Sequence, residues 1–364
     1  MKKLPTANAE TLTDPALAPL NTARSESNTM LAVSEAIDIA KAEARNLMLE
    51  KLKKSDAIVT LMEELKNMPN VRIANVDAVE TAIANMTIGG SRQLLVISDF
   101  DYTLSRFHDD NGVRLSTTHG VFDDNVMKIN PELGQKFIDL RNKYYPIEFD
   151  PKLTPEQKTP MLEAWWRSSH NLIIQERFSK STIEDFVSNS RIVLRDGAED
   201  LILTLDARNI PLVIFSAGIG NIIEYFLQKK LGALPKNTHF ISNMILFDEE
   251  DKACAFSEPL IHTFCKNSSV IQKEASFFHE MVGRNNVLLL GDSMGDIHMD
   301  VGVEKDGPTL KVGFYNGSVS DEDSIKHYIE AYDIVIIHDN SFTIPQRIID
   351  VVNHNHNIID PTTL

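Results

Sequence analysis

The stretch LLVISDFDYTLSRF, Leu94 to Phe107, decides how the rest of the chain is read. Leu94–Ser98 has the near-continuous apolar character of a strand buried on both faces. It stops at two aspartates, Asp99 and Asp101, one residue apart, and Thr103 and Arg106 follow. Residues two apart on an extended chain face the same side. Two such carboxylates can hold a hard cation, and Mg²⁺ favours one or two carboxylates together with waters and phosphate oxygens. A carboxylate can also attack phosphorus, and a neighbour with a raised pKa can act first as acid and then as base. A turn capped by aspartate side chains is the plainer explanation of D-x-D, and the stretch alone does not choose between them.

Other strands of the same kind follow. Pro211–Phe215 ends at Ser216, Val287–Gly291 ends at Asp292, and Thr309–Phe314 and Asp333–Ile337 are similar runs. Buried runs separated by helical stretches predict an α/β fold, a Rossmann-like parallel sheet covered on both faces. In such sheets ligands sit outside the carboxyl ends of the strands, where these polar residues lie. Upstream, apolar spacing predicts helices over Thr29–Lys54, Asp56–Asn67 and Val79–Met86, the last capped by Asp77 and stopped by Gly89-Gly90. Residues 1 to about 27, rich in Pro, Ala, Thr, Ser and Asn, are expected to be disordered. Residues 117–190 hold both tryptophans and a helical pattern with no buried strand, which predicts an inserted helical domain.

The length of 364 residues suits two domains. A net charge of −16 disfavours a nucleic-acid polymer, which demands a surplus of Lys and Arg. Two cysteines, Cys254 and Cys265, make no disulfide framework and no zinc spacing, which fits a reducing compartment. No run approaches the length of a membrane span. The basic start of the chain is interrupted by Glu10 and Asp14, unlike a signal or transit peptide. A cytoplasmic monomer without a membrane partner is expected.

Three further motifs sit at strand ends. FSAGIG, Phe215–Gly220, offers a hydroxyl and successive N–H groups at a helix start, a nest for an anion. Lys266 ends LIHTFCK, where a lone lysine is ordinarily a solvated charge. LGDSMGD, Leu290–Asp296, places Asp292 and Asp296 around flexible glycine, either as part of a metal site or as a capped turn.

Taken together, DFDYT, SAG, Lys266 and GDSxxD resemble the four motifs of the haloacid dehalogenase superfamily of phosphotransferases. The longer strings DFDYTLSRF, KYYPIEFDP, FSAGIG, LIHTFCK and LLLGDSMGD resemble type III cytosolic 5′-nucleotidases, over roughly Ser91 to Asn340. That resemblance implies a Mg²⁺-dependent hydrolase of nucleoside 5′-monophosphates that passes through an aspartyl-phosphate. It implies Asp99 as nucleophile and metal ligand, and Asp101 as acid and base lending its carbonyl to the metal. Asp292 would be the third ligand. Ser216 with the Ala217 and Gly218 amides would hold phosphate oxygens, Lys266 would neutralise phosphoryl charge, and Asp296 would support from behind. Glu148 and Ser169 would contact base or sugar. Phe122 and Trp166, which stand where pyrimidine-specific members tend to carry an aliphatic residue and a tyrosine, would sandwich a flat base, or are simply core rings. A cationic 7-methylguanine would gain from stacking on Trp. The implied organisation is an extension over 1–50, a core over 51–116 and 191–364, and a helical cap over 117–190. Transfer of phosphate to a nucleoside acceptor is a conceivable side activity. Two alternatives stay open: a phosphatase for another small phosphate, and an inactive relative that serves as a binding protein.

Overall fold

The computed structural model describes residues 18–148, 150, 152–267, 278–300 and 307–354. Helix α1 spans Ala18–Lys53, beginning at Ala18 rather than at Thr29. Pro19 falls in its first turn, where the missing N–H costs nothing, and no later Gly or Pro interrupts it. The expectation of disorder therefore fails from residue 18; residues 1–17 lie outside the described set. The chain divides at residue 51, so that α1 up to Lys51 forms one unit and residues from Leu52 form another.

The second unit opens with α2 (Asp56–Asn67), the short strand β1 (Val71–Ile73) and α3 (Val76–Gln93). The cap of α3 is Asn75, whose side chain accepts from Ala78 N, so the helix starts before the expected Asp77. Gly90, at φ 56°, breaks its regular path at the expected place. Strand β2 (Leu94–Ser98) follows, every residue buried. Then come α4 (Gly120–Ile129), α5 (Pro131–Glu148), α6 (Pro155–Glu176) and α7 (Lys180–Ser188), none interrupted by a strand of the sheet. A capping box formed by Thr154 and Gln157 starts α6.

The chain returns through α8 (Ala198–Ala207), β3 (Leu212–Ile219), α9 (Gly220–Leu231) and β4 (Thr238–Asn243). A hairpin of β5 (Ile245–Phe247) and β6 (Ala253–Phe256) comes next; its short strands gave no separate signal in the sequence. The short α10 (Phe278–Met281), β7 (Asn286–Gly291), β8 (Thr309–Tyr315), α11 (Glu322–Ala331), β9 (Ile334–Ile337) and α12 (Thr343–His354) complete it.

The seven-stranded sheet has the order β1-β9-β8-β7-β2-β3-β4. All pairings are parallel except β1 with β9 at one edge. Leu95 and Ile97 of β2, with Val213, Phe215, Val287 and Leu289, form one core layer, against which Ile325, Tyr328 and Ile329 of α11 pack. Alternate residues of β2 point the other way and are buried as well, so both faces are covered. Strand β3 does not stop at Phe215 as expected. A register shift between Phe215 and Ile219 lets it rejoin β4 at Asn243. Ser216, Ala217 and Gly218 thus lie in a bulge, a device that re-aims a strand beside a site.

Candidate active site

Asp99 leaves β2 at its carboxyl end, and its N–H donates to Leu290 O at 2.9 Å on β7. The next residues, Phe100–Leu104, form a tight turn in which Tyr102 takes φ 66°, the left-handed region that a non-glycine residue rarely enters. Arg195 holds the turn in place. Its buried guanidinium donates to Thr103 O at 2.8 Å, to Tyr102 O at 2.7 Å and to Asn316 Oδ1 at 2.9 Å. Asn316 Nδ2 adds a bond to Tyr102 O at 3.1 Å.

Lys266, 5% exposed, is no solvated surface lysine. Its Nζ bonds to Asp99 Oδ1 and, at 2.6 Å, to Asp296 Oδ1. Asp296 spends its other oxygen on the loop of which it is part, accepting from Asp292 N at 3.1 Å and from Ser293 N and Oγ, both at 2.9 Å. Tyr328 Oη donates to Asp292 O at 2.6 Å and Tyr332 Oη to Ser293 O at 2.5 Å, which fixes that loop from α11 and the residue after it.

Asp101 is oriented by Thr118. The Thr118 N–H donates to Oδ1 at 2.8 Å and its hydroxyl to Oδ2 at 2.7 Å. Thr118 Oγ1 in turn accepts from Ile219 N at 3.2 Å. Gly218 fits only because it lacks a side chain: a Cβ there would stand 2.1 Å from Thr118 Oγ1 and 2.9 Å from Asp101 Oδ2. Ser216, 1% exposed, accepts from Gly218 N at 3.0 Å. Ala217 O accepts from Trp166 Nε1 of α6 at 2.7 Å.

Burial dominates the electrostatics. It pushes the Asp99 carboxyl up to about 7 against the pull of Lys266, and Asp101 up to about 6 against the bonds from Thr118. Burial also drives Asp292 well above the carboxylate range, helped by the charges of Asp99 and Asp296. For Lys266 burial works against the charge, but Asp296 and Asp99 outweigh it and the ammonium is held above its ordinary range. Arg195 is drawn down to about 10 by burial.

One carboxylate oxygen from each of Asp99, Asp292 and Asp296 lies within 4.8 Å of the others. Asp296 already has donors on both oxygens, so the pair with capacity left for a cation is Asp99 and Asp292. Two carboxylates, Asp99 buried and Asp292 half-buried, raised by desolvation and mutual repulsion, are a donor set that suits a hard divalent ion.

These groups share a cavity of about 900 Å³ with residues of α4, α5 and α6. Glu148, Ser169, Phe122 and Trp166 all line it. Glu148 Oε1 accepts from Thr263 Oγ1 at 2.7 Å, which ties the end of α5 to the loop carrying Lys266. Burial raises its carboxyl. Phe122 is 1% exposed and packs among Phe137, Phe178 and Phe186. Two rings stand edge-on to Trp166, Trp165 at 5.1 Å and His119 at 5.5 Å. His119 stacks in turn on His170, and His170 on Phe256 of β6 at 3.7 Å. Burial holds His119 down at about 4 and His170 at about 2, so both imidazoles are neutral.

The sequence reading missed Thr118, Arg195, Thr263, His119 and Tyr328. Each acts across a long separation in sequence; only Thr263 lies within a quoted motif, LIHTFCK, which gave no reason to single it out. The cluster STTH before Gly120 was the one local hint, a run of hydroxyls ahead of a helix.

Residues 102–353 match the family model Pyrimidine 5′-nucleotidase (UMPH-1). The putative cytosolic 5′-nucleotidase 3 of Caenorhabditis elegans is 63% identical over 95% of this chain and 92% of its own. The 7-methylguanosine phosphate-specific 5′-nucleotidase of Gallus gallus is 40% identical over 78% of this chain and 93% of its own. The crystal structure of cytosolic 5′-nucleotidase IIIB bound to cytidine superposes with a TM-score of 0.72 at 26% identity, covering 81% of this chain and 98% of that one.

Proposed function

The chain belongs to the pyrimidine 5′-nucleotidase (UMPH-1) family of phosphate-ester hydrolases, and from that premise we propose that it is a cytosolic, Mg²⁺-dependent nucleotidase working through an aspartyl-phosphate. The substrates are nucleoside 5′-monophosphates, with CMP, UMP and 7-methyl-GMP the ones to rank, in keeping with the pyrimidine of the family's name and the 7-methylguanosine phosphate of a relative's. The observation that carries the reading is the buried Lys266 joined to Asp99 and Asp296 beside an Asp101 fixed by Thr118.

An Asp99 carboxylate oxygen attacks phosphorus as the bond to the nucleoside 5′-oxygen breaks, and Asp101 gives that oxygen its proton. Water then attacks phosphorus, Asp101 takes the proton back, and the bond from phosphorus to Asp99 breaks to release phosphate. Lys266 and the bulge at Ser216–Gly218 would meet the phosphoryl oxygens with a cation, a hydroxyl and N–H groups, the Gly218 N–H exchanging its bond to Ser216 Oγ for one to phosphate. Mg²⁺ held by Asp99, Asp292 and the Asp101 carbonyl would neutralise the phosphate charge that a chain of −16 otherwise repels. The helices α4–α7 serve as a cap bearing Glu148, Ser169 and Trp166. Glu148 is suited to accept from a base amino or ring N–H.

The test is phosphate release from CMP, UMP, 7-methyl-GMP, GMP and AMP by the wild type and by Asp99→Asn. Loss of turnover by about 10³-fold or more in a normally folded variant is expected. Wild-type rates in the variant would overturn the nucleophile.

A further inference from the structure

Arg114 is placed where two parts of the site meet. It lies in the segment between the Phe100–Leu104 turn and α4, and its hydrogen bonds run to two phenols rather than to a carboxylate. Its Nε donates to Tyr102 Oη at 3.0 Å and its Nη1 to Tyr145 Oη at 3.0 Å. The guanidinium also stands over three rings, 5.3 Å from Tyr102, 5.1 Å from Phe107 and 5.4 Å from Tyr145. Tyr102 directly follows Asp101, and its hydroxyl is further held by donating to Leu115 O at 3.1 Å. Tyr145 sits on α5 three residues before Glu148, on the same helical face. Arg114 is also among the charges that favour the ionised form of Glu148.

We infer that Arg114 is a positioning residue whose guanidinium straps the turn carrying Asp101 to the helix carrying Glu148, so that seating the base and aligning the acid are one event. The inference rests on the nucleotidase reading. The strap demands arginine. A planar fork offers two N–H groups at a fixed angle and stacks on rings, whereas an ammonium is a point charge on a flexible stem. Tyr102 makes the link stiff, because its unusual φ and the two donors on its carbonyl leave the turn little freedom.

The experiment compares kcat and KM of the wild type, Arg114→Lys and Tyr145→Phe on the best nucleotide and on p-nitrophenyl phosphate, with a thermal melt of each. Tyr145→Phe keeps the ring and removes only the hydroxyl. The expected result for Arg114→Lys is a fall of about tenfold in kcat/KM on the nucleotide. The aryl phosphate brings no base to Glu148 and releases a phenolate that needs no proton from Asp101, so its kcat/KM, which ends at that release, should stay within about twofold. Tyr145→Phe should follow the same pattern with a smaller fall. Equal losses on both substrates would overturn the strap, since Arg114 would then act on the chemistry or the fold. Wild-type behaviour of Arg114→Lys would also overturn it, since charge alone would suffice. Hydrolysis of the aryl phosphate but of no nucleotide by the wild type would defeat the nucleotidase reading and this inference with it, a result no variant can imitate.

Discussion

Burying the Asp292 carboxyl costs the fold stability. That carboxyl is raised far above the usual range, chiefly by burial. A carboxyl whose folded pKa exceeds its unfolded value stabilises the fold only in its protonated form, so stability is lost as pH rises from about 3.8 through the folded value. Asp292→Asn is therefore expected to raise the melting temperature of the protein in EDTA at pH 7.5 by roughly 2 °C or more. On the proposed metal site, added Mg²⁺ should raise the melting temperature of the wild type but not that of Asp292→Asn; a melt with and without the ion checks both. Thr118 works in the opposite sense. Its two bonds favour the ionised Asp101. Thr118→Val should raise that pKa and move the alkaline limb of the pH–rate curve to higher pH, with kcat lowered by about tenfold. At this scale the sequence was legible where short motifs bring polar residues together: Asp99, Asp101, Ser216, Lys266 and Asp292 line one cavity, and Asp296 is buried behind Lys266. Thr118 and Arg195 were not legible, because a hydrogen bond across such a span leaves no local pattern.

At the scale of elements, the stack of His119, His170 and Phe256 joins the start of α4, helix α6 and the β5–β6 hairpin. A histidine whose folded pKa is depressed is protonated more readily when unfolded, so stability falls as pH drops below about 6.5 and continues falling to the folded value. From pH 7 to pH 5 each such histidine removes about 2 kcal/mol. His170→Phe keeps an aromatic ring in the stack and removes the titrating group. Its urea stability should change less over that window than that of the wild type, by about the same amount. The pattern of buried strands and intervening helices was readable because both faces of the sheet are covered, which makes the strands continuous in character. The start of α1, the cap of α3 and the length of β3 were misjudged. Propensity alone does not say where a helix ceases to be stable, and a bulge reads as a strand end.

For the whole molecule, the charge of −16 sets a repulsive field around a site that must admit a dianion. Monovalent salt screens that field, with a Debye length of about 8 Å at physiological strength. At fixed Mg²⁺, kcat/KM should rise by about twofold between low and physiological salt, the reverse of the behaviour of a basic phosphate-binding protein. Initial rates at limiting nucleotide measure it. A further consequence follows from the place of β2 inside the sheet. Its ladder partners are Leu212–Ile214 on one side and Asn286–Leu290 on the other. A polypeptide still on the ribosome carries Asp99, the proposed nucleophile, long before those partners are translated, and Asp292 and Asp296 emerge later still. Enzymatic competence thus arrives late in synthesis, and a prematurely terminated chain ending before residue 286 would carry the DFDYT signature with no catalytic power.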